Sequence, residues 1–121
     1  MPGPSVYRHL GVSKRGNVTV VRFGDHRILN EVAIDLIGDE LYGVADRPDC
    51  RKLLLDFLSV EHLSSLMLGK LLMLKKKIES RGGKLKLCNV GPEIGEILKS
   101  TNLDRILDIR ENEVEALKAF G

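Results

Sequence analysis

Few side chains in this sequence are suited to covalent or metal chemistry, and their spacing does not favour it. The three histidines, His9, His26 and His62, are not spaced with cysteines or carboxylates in the way that zinc ligands are. Cys50 and Cys88 do not form a C-x-x-C pair, and both adjoin apolar runs, which predicts buried thiols. The sequence therefore predicts no metal site and no redox centre.

One short segment combines a histidine with two serines, His62 followed by Ser64 and Ser65. A serine nucleophile needs a well-placed base and usually a glycine elbow, and this segment offers neither. Glycine-rich loops that cradle phosphates are also absent from the sequence, so we expect a protein that is not an enzyme and has no cofactor. The serine pair remains the main functional candidate, because it stands where a central helix is predicted to begin.

The composition predicts one globular domain covering residues 1–121. Hydrophobic residues make up 43% of the chain and charged residues 30%, and the net charge is only +2. This weak charge, the 4% aromatic content and the absence of Trp argue against nucleic-acid binding. The run Lys75-Lys76-Lys77 does not change this, because consecutive helical residues point in different directions.

The amino terminus has no apolar segment typical of a signal peptide, and the apolar runs are too short to span a membrane. We therefore expect a cytoplasmic protein without a membrane partner, and free cysteines agree with a reducing compartment.

The first half of the chain predicts a hairpin, a helix and a buried strand. Residues 1–5 read as a frayed tail, and strands at 7–12 and 18–23 flank a turn. Residues 27–29 form a further short extended piece. Asn30 is predicted to cap a helix that ends before Pro48. The predicted apolar stripe of this helix is Val32, Leu36, Ile37, Leu41 and Val44.

The second half alternates strands with helices. The continuous apolar run Leu53–Leu55 predicts a strand buried on both faces. A helix capped by Ser64 or Ser65 follows and runs to about Ser80. Further predicted elements are a strand at 84–88, a helix at 93–100, a strand at 106–109 and a helix at 111–120. The order predicts an α/β fold with a mixed, mostly parallel sheet, an N-terminal antiparallel hairpin and about four helices.

The ordered features from Leu53 to Ile109 resemble the STAS domain family, the anti-sigma factor antagonist fold that is also found in sulfate transporter tails. An apolar strand ends in Asp56, and a short loop leads to the serine pair. A double glycine, the strand at 84–88, the turn at 89–92 and the segment LDRIL at 103–107 follow in the order of that family.

The resemblance implies a regulator whose helix-opening serine is phosphorylated by a partner kinase. It places Ser65 at the phosphoacceptor position and Ser64 at the position that is acidic in the family, with Ser64 as a second acceptor candidate. Leu66 and Met67 replace the small residues of the family pattern, so this sequence departs from it at both sides of the acceptor.

The resemblance also implies the partner, which would be an anti-sigma factor or a related serine kinase. The candidate contact residues lie in the loop after Phe23 and around the helix start; they are Asp25, His26, His62, Leu63, Leu66 and Met67. Met67 has two interpretations, an adaptable exposed contact or core packing. An alternative function is a STAS scaffold subunit of a larger signalling or transport assembly that is not phosphorylated, which the missing acidic residue and glycine favour.

Overall fold

The computed structural model describes residues 9–121, so the predicted tail at 1–5 and the beginning of the first predicted strand lie outside the described residues. Strands β1 (Leu10–Arg15) and β2 (Val18–Phe23) form the predicted antiparallel hairpin. Gly16 occupies the tight turn with φ +62°, a left-handed conformation that glycine adopts without steric cost. The hairpin prediction is confirmed.

Within residues 9–121, five strands form the main sheet, in the order β1, β2, β4 (Lys52–Asp56), β6 (Lys84–Cys88) and β7 (Asp108–Arg110). Strands β4, β6 and β7 run parallel to β2. The mixed, mostly parallel fold class is therefore confirmed. The last strand begins later than predicted, because residues Leu103–Arg105 form a 3-10 turn that carries Leu107 into the core instead.

In the described part of the chain, four helices pack on this sheet: α1 (Glu31–Ala45), α2 (Ser65–Ser80), α3 (Pro92–Ser100) and α4 (Glu113–Phe120). The predicted cap of α1 is confirmed, since the Asn30 side chain accepts a hydrogen bond of 3.1 Å from the Ala33 amide. No helix between residues 9 and 121 combines the length and the apolar character needed to cross a membrane.

The two faces of the sheet are unequally covered. Leu53 and Leu55 point into the larger core with α1 and α2, whereas Leu54 belongs to a smaller cluster under α4. All three side chains are fully buried, which explains why β4 is continuously apolar and confirms the prediction of a strand covered on both faces.

The predicted apolar stripe of α1 is wrong at two positions. Val32 and Leu36 are exposed, and Ile34 is buried in their place. The buried face of α1 consists of Ile34, Ile37, Gly38, Leu41, Val44 and Ala45. These positions follow the helical period, and the direction of the face is set by the contact of α1 with α2, which the sequence of α1 alone does not show.

Candidate functional site

The start of α2 is held by a small second sheet. Strand β3 (Arg27–Ile28) pairs in parallel with β5 (His62–Leu63), and the Ser64 amide then donates a hydrogen bond of 2.8 Å to the Ile28 carbonyl oxygen. The sequence predicted the first strand but not the second, because two residues are too few to show a period. This pairing fixes where the serine pair stands relative to the loop after β2.

The two serines have different structural roles. Ser64 is the N-cap of α2, and its Oγ accepts a hydrogen bond of 3.2 Å from the Leu66 amide. Ser65 is the first helical residue; it is exposed, and its hydroxyl makes no hydrogen bond to any of residues 9–121. The Ser64 side chain is therefore occupied in capping the amino end of α2, whereas the Ser65 hydroxyl is available to another molecule.

Three apolar contact candidates divide between the surface and the core. Leu66 has 56% of its surface exposed, beside Ser65. Met67 is 0% exposed and Leu63 only 4% exposed, so both side chains lie in the core in this conformation, and of the two interpretations of Met67 the structure shows core packing. The reason is the register of α2, whose inward face is Met67, Leu68, Leu71, Leu74 and Ile78.

The histidines near the site tie its loops together. His62 Nδ1 lies 2.8 Å from Glu93 Oε1 in the first turn of α3. The carbonyl oxygen of Ser59 accepts a hydrogen bond of 2.8 Å from His26 Nδ1. Asp25 instead pairs with His9 at 3.1 Å, at the beginning of β1. The structure thus joins His26 and His62 to the loops around the serine pair, while Asp25 is engaged with the hairpin.

The buried side chain of Asp56 links several chain segments at the same end of the sheet. It is 2% exposed, and its carboxylate accepts hydrogen bonds from Arg22 Nε at 3.1 Å, the Leu58 amide at 2.9 Å and Asn89 Nδ2 at 3.0 Å. It therefore connects the ends of β2 and β6 to the loop that leads from β4 to β5. Sequence reasoning noted Asp56 only as a strand end, and no local pattern indicates its three donors.

Exposed leucines belong to the elements that meet at Ser64. Leu29 follows β3, Leu58 lies in the loop between β4 and β5, and Leu66 lies in the first turn of α2. Leu29 and Leu66 lie within two residues of the hydrogen bond between Ser64 and Ile28, so exposed apolar side chains adjoin the helix start, as is typical of a surface that binds another protein.

The electrostatics of the helix start favour an anion. The first turn of α2 contains no acidic residue, so the positive end of the helix dipole is not offset by its own side chains. In the described part of the chain, no three His, Cys, Asp or Glu side chains come together in a way that could hold a metal ion. The features available to a ligand at this surface are therefore the hydroxyl of Ser65 and the positive end of the helix dipole.

This fold is that of a known family of domains. The family model described as the STAS domain matches residues 10–116, and the chain belongs to the STAS domain family. An anti-sigma F factor antagonist of Paenibacillus polymyxa is 28% identical over 100 residues, which cover 83% of this chain and 84% of that protein.

Solved structures agree with this assignment. An anti-sigma-factor antagonist (STAS) domain protein from Planctomyces limnophilus superimposes with a TM-score of 0.81 at 29% identity, covering 93% of this chain and 97% of that chain. The phosphorylated form of the Bacillus cell fate determinant SpoIIAA shares the fold, with a TM-score of 0.67 at 15% identity, covering 91% and 97%. The predicted family is confirmed, and a fold shared with anti-sigma factor antagonists supports a regulatory, protein-binding role.

Proposed function

We propose that this chain is a non-catalytic regulator that binds an anti-sigma factor or a related serine kinase through the start of α2, and that phosphorylation of Ser65 releases the partner. The observation that carries the proposal is that the two serines have different structural roles. Ser64 caps the helix, so the exposed Ser65 hydroxyl can be modified without removing the cap.

A phosphate on Ser65 would be tolerated by the folded chain. Phosphorylation adds between one and two negative charges, and the amino end of a helix stabilises such charge through its dipole. The same charge would stand next to Leu66, in the first turn of α2, and near Leu29, which follows the Ile28 carbonyl bonded to Ser64. A partner packed on these apolar side chains would have to desolvate the phosphate, so binding would weaken while the fold stays unchanged.

Related proteins provide a precedent. The anti-sigma F factor antagonist from Paenibacillus polymyxa is named for its action on an anti-sigma factor. SpoIIAA, which shares the fold, has been solved in a phosphorylated and an unphosphorylated form.

A second candidate function is a STAS scaffold subunit without phosphorylation. Leu66 is large and exposed directly after Ser65, and this side chain obstructs the approach of a kinase active site more than the small residue of the family pattern does. A sulfate transporter family protein from Wolinella succinogenes has the same fold, with a TM-score of 0.70 at 18% identity.

The decisive experiment uses each anti-sigma factor kinase encoded in the same genome. We expect incubation with the cognate kinase and ATP to add the mass of one phosphate group, located at Ser65 by fragmentation. Ser65→Asp should weaken the complex at least about tenfold, which corresponds to about 1.4 kcal/mol. A stable complex that is insensitive to Ser65→Asp, with no phosphate added, would favour the scaffold.

Matched serine variants separate modification from folding. Ser64→Ala removes the cap and should cost about 1 kcal/mol of stability while leaving phosphorylation in place. Ser65→Ala should unfold at the same denaturant concentration as the wild type and should take no phosphate. Phosphate found on Ser64 instead would contradict the assignment.

A further inference from the structure

A groove of about 390 Å³ runs along the outward side of α2, away from the main core. The groove is lined by Ile106, on the turn before β7, and by six residues of the helix: Gly69, Leu72, Met73, Lys75, Lys76 and Glu79. Met73 is 51% exposed and Ile106 52% exposed, whereas the buried side of α2 is closed. A Cβ atom added at Gly69 would meet no atom within 4 Å, so the groove is open at that point.

The groove continues from the proposed partner surface. Leu66, Gly69 and Met73 are spaced three and four residues apart, which places them on one side of α2. An apolar stripe therefore leads from the first turn, beside Ser65, into the groove. A partner that contacts Leu66 can reach Met73 along this side of α2.

The charged side chains of α2 indicate the charge of a molecule that would bind in the groove. Three of its lysines have anionic partners: Lys70 with Asp35 at 3.2 Å, Lys75 with Glu79 at 2.8 Å and Lys77 with Asp46 at 3.1 Å. Lys76, on the groove wall, has no ion-pair partner among residues 9–121. A carboxylate on the bound molecule would form the ion pair that Lys76 lacks.

The backbone of the groove indicates the shape of the bound molecule. Most of the lining residues belong to α2, whose amides and carbonyls are paired within the helix, and the Ile106 amide donates to the Leu103 carbonyl oxygen at 3.0 Å. The walls therefore offer no strand edge to a bound chain. An α-helix satisfies its own backbone hydrogen bonds and therefore suits walls of this kind.

We propose that this groove binds an amphipathic helix of a partner protein, with apolar side chains on Met73 and Ile106 and an acidic side chain against Lys76. The identity of that partner rests on the proposed function, whereas the chemistry of the groove is independent of it. The contact would extend along α2 beyond the first turn at Ser65.

A synthetic peptide tests the groove without any kinase. The probe is an amphipathic helix of about 18 residues with leucines on one face and glutamates flanking them, since shorter helices are marginal in water. Its matched form carries lysines in place of the glutamates. We expect the acidic peptide to bind by calorimetry and to shift the methyl NMR signals of Met73 and Ile106, and the basic peptide to bind at least about tenfold more weakly.

Glycine variants provide the matched control. Gly69 and Gly43 are both helical glycines at which an added side chain meets open space, and Gly43 lies on α1, outside the groove. Gly69→Gln should weaken acidic-peptide binding at least about tenfold, whereas Gly43→Gln should not change it. Neither variant should lower the melting temperature, because glutamine is the better helix former.

Charge reversal gives an independent control. Lys76→Glu should reverse the preference between the two peptides, and Lys118→Glu, on α4 at the opposite face of the sheet, should preserve it. No binding of the acidic peptide, unshifted Met73 and Ile106 signals, or equal binding by Gly69→Gln would overturn the groove proposal. Phosphorylation of Ser65 is measured separately, so its failure would refute the proposed function and leave the groove result standing.

Discussion

The buried carboxylate of Asp56 should contribute more to stability than any other polar side chain near the site. Its replacement by alanine leaves the Leu58 amide and Asn89 Nδ2 without their acceptor. Each partly buried donor that loses its partner costs about 1–3 kcal/mol. Arg22 is 55% exposed, so water can replace its ion pair at little cost. With two such donors, we therefore expect Asp56→Ala to lower the free energy of unfolding by about 2–6 kcal/mol.

Urea denaturation followed by circular dichroism measures this loss, with the slope of the transition compared between variants. The matched control is Arg22→Gln, which removes the exposed partner and leaves both buried donors satisfied; it should cost less than about 1 kcal/mol. A loss below about 1 kcal/mol for Asp56→Ala would show that the two donors are solvated, and the reasoning about this anchor would then be wrong. An equal loss in Arg22→Gln would show that the ion pair is the stabilising contact.

Two further predictions concern the core. Met67→Ala should cost about 2–5 kcal/mol of stability in the same denaturation assay, because it opens a cavity in the core. Met73→Ala, at an exposed position, should change stability by less than about 0.5 kcal/mol. Equal losses would contradict the burial of Met67. Burial raises the pKa of the Cys88 thiol to about 12, so the folded chain keeps this proton while the unfolded chain loses it from about pH 9 upward. Stability should therefore fall as pH rises from about 9 to 12, and Cys88→Ala should reduce this fall; a native thiol that reacts rapidly with a disulfide reagent at neutral pH would contradict the prediction.

Local patterns in the sequence determined most of the secondary structure. The β-branched run at 18–23, the Asn30 cap and the apolar run at 53–55 each predicted an element that the structure contains. These signals depend on residues close together in the chain, such as a cap and the amide three positions later. The alternation of strands and helices then sufficed to predict the parallel sheet with its N-terminal hairpin.

Local sequence patterns predicted less well which residues of the site are exposed. The sequence located a helix start at the serine pair but did not decide which serine caps it. It also treated Leu63 and Met67 as contact residues, although both lie in the core. The direction of a side chain depends on the rotation of its helix or strand against its neighbours, and a helix such as α2 has apolar residues on more than one face.

The sequence by itself determined that a helix begins at Ser64-Ser65 within a STAS domain, because capping residues and the order of elements are properties of the chain. Only the tertiary structure decided that Ser64 is committed to the cap and that Ser65 is exposed. It alone brought Ile106 beside Met73 to form a groove, and it alone placed the donors of Arg22 and Asn89 around Asp56. These contacts join residues that are more than 30 positions apart, and their pairing is set by the register of the sheet and by the packing of helices on it.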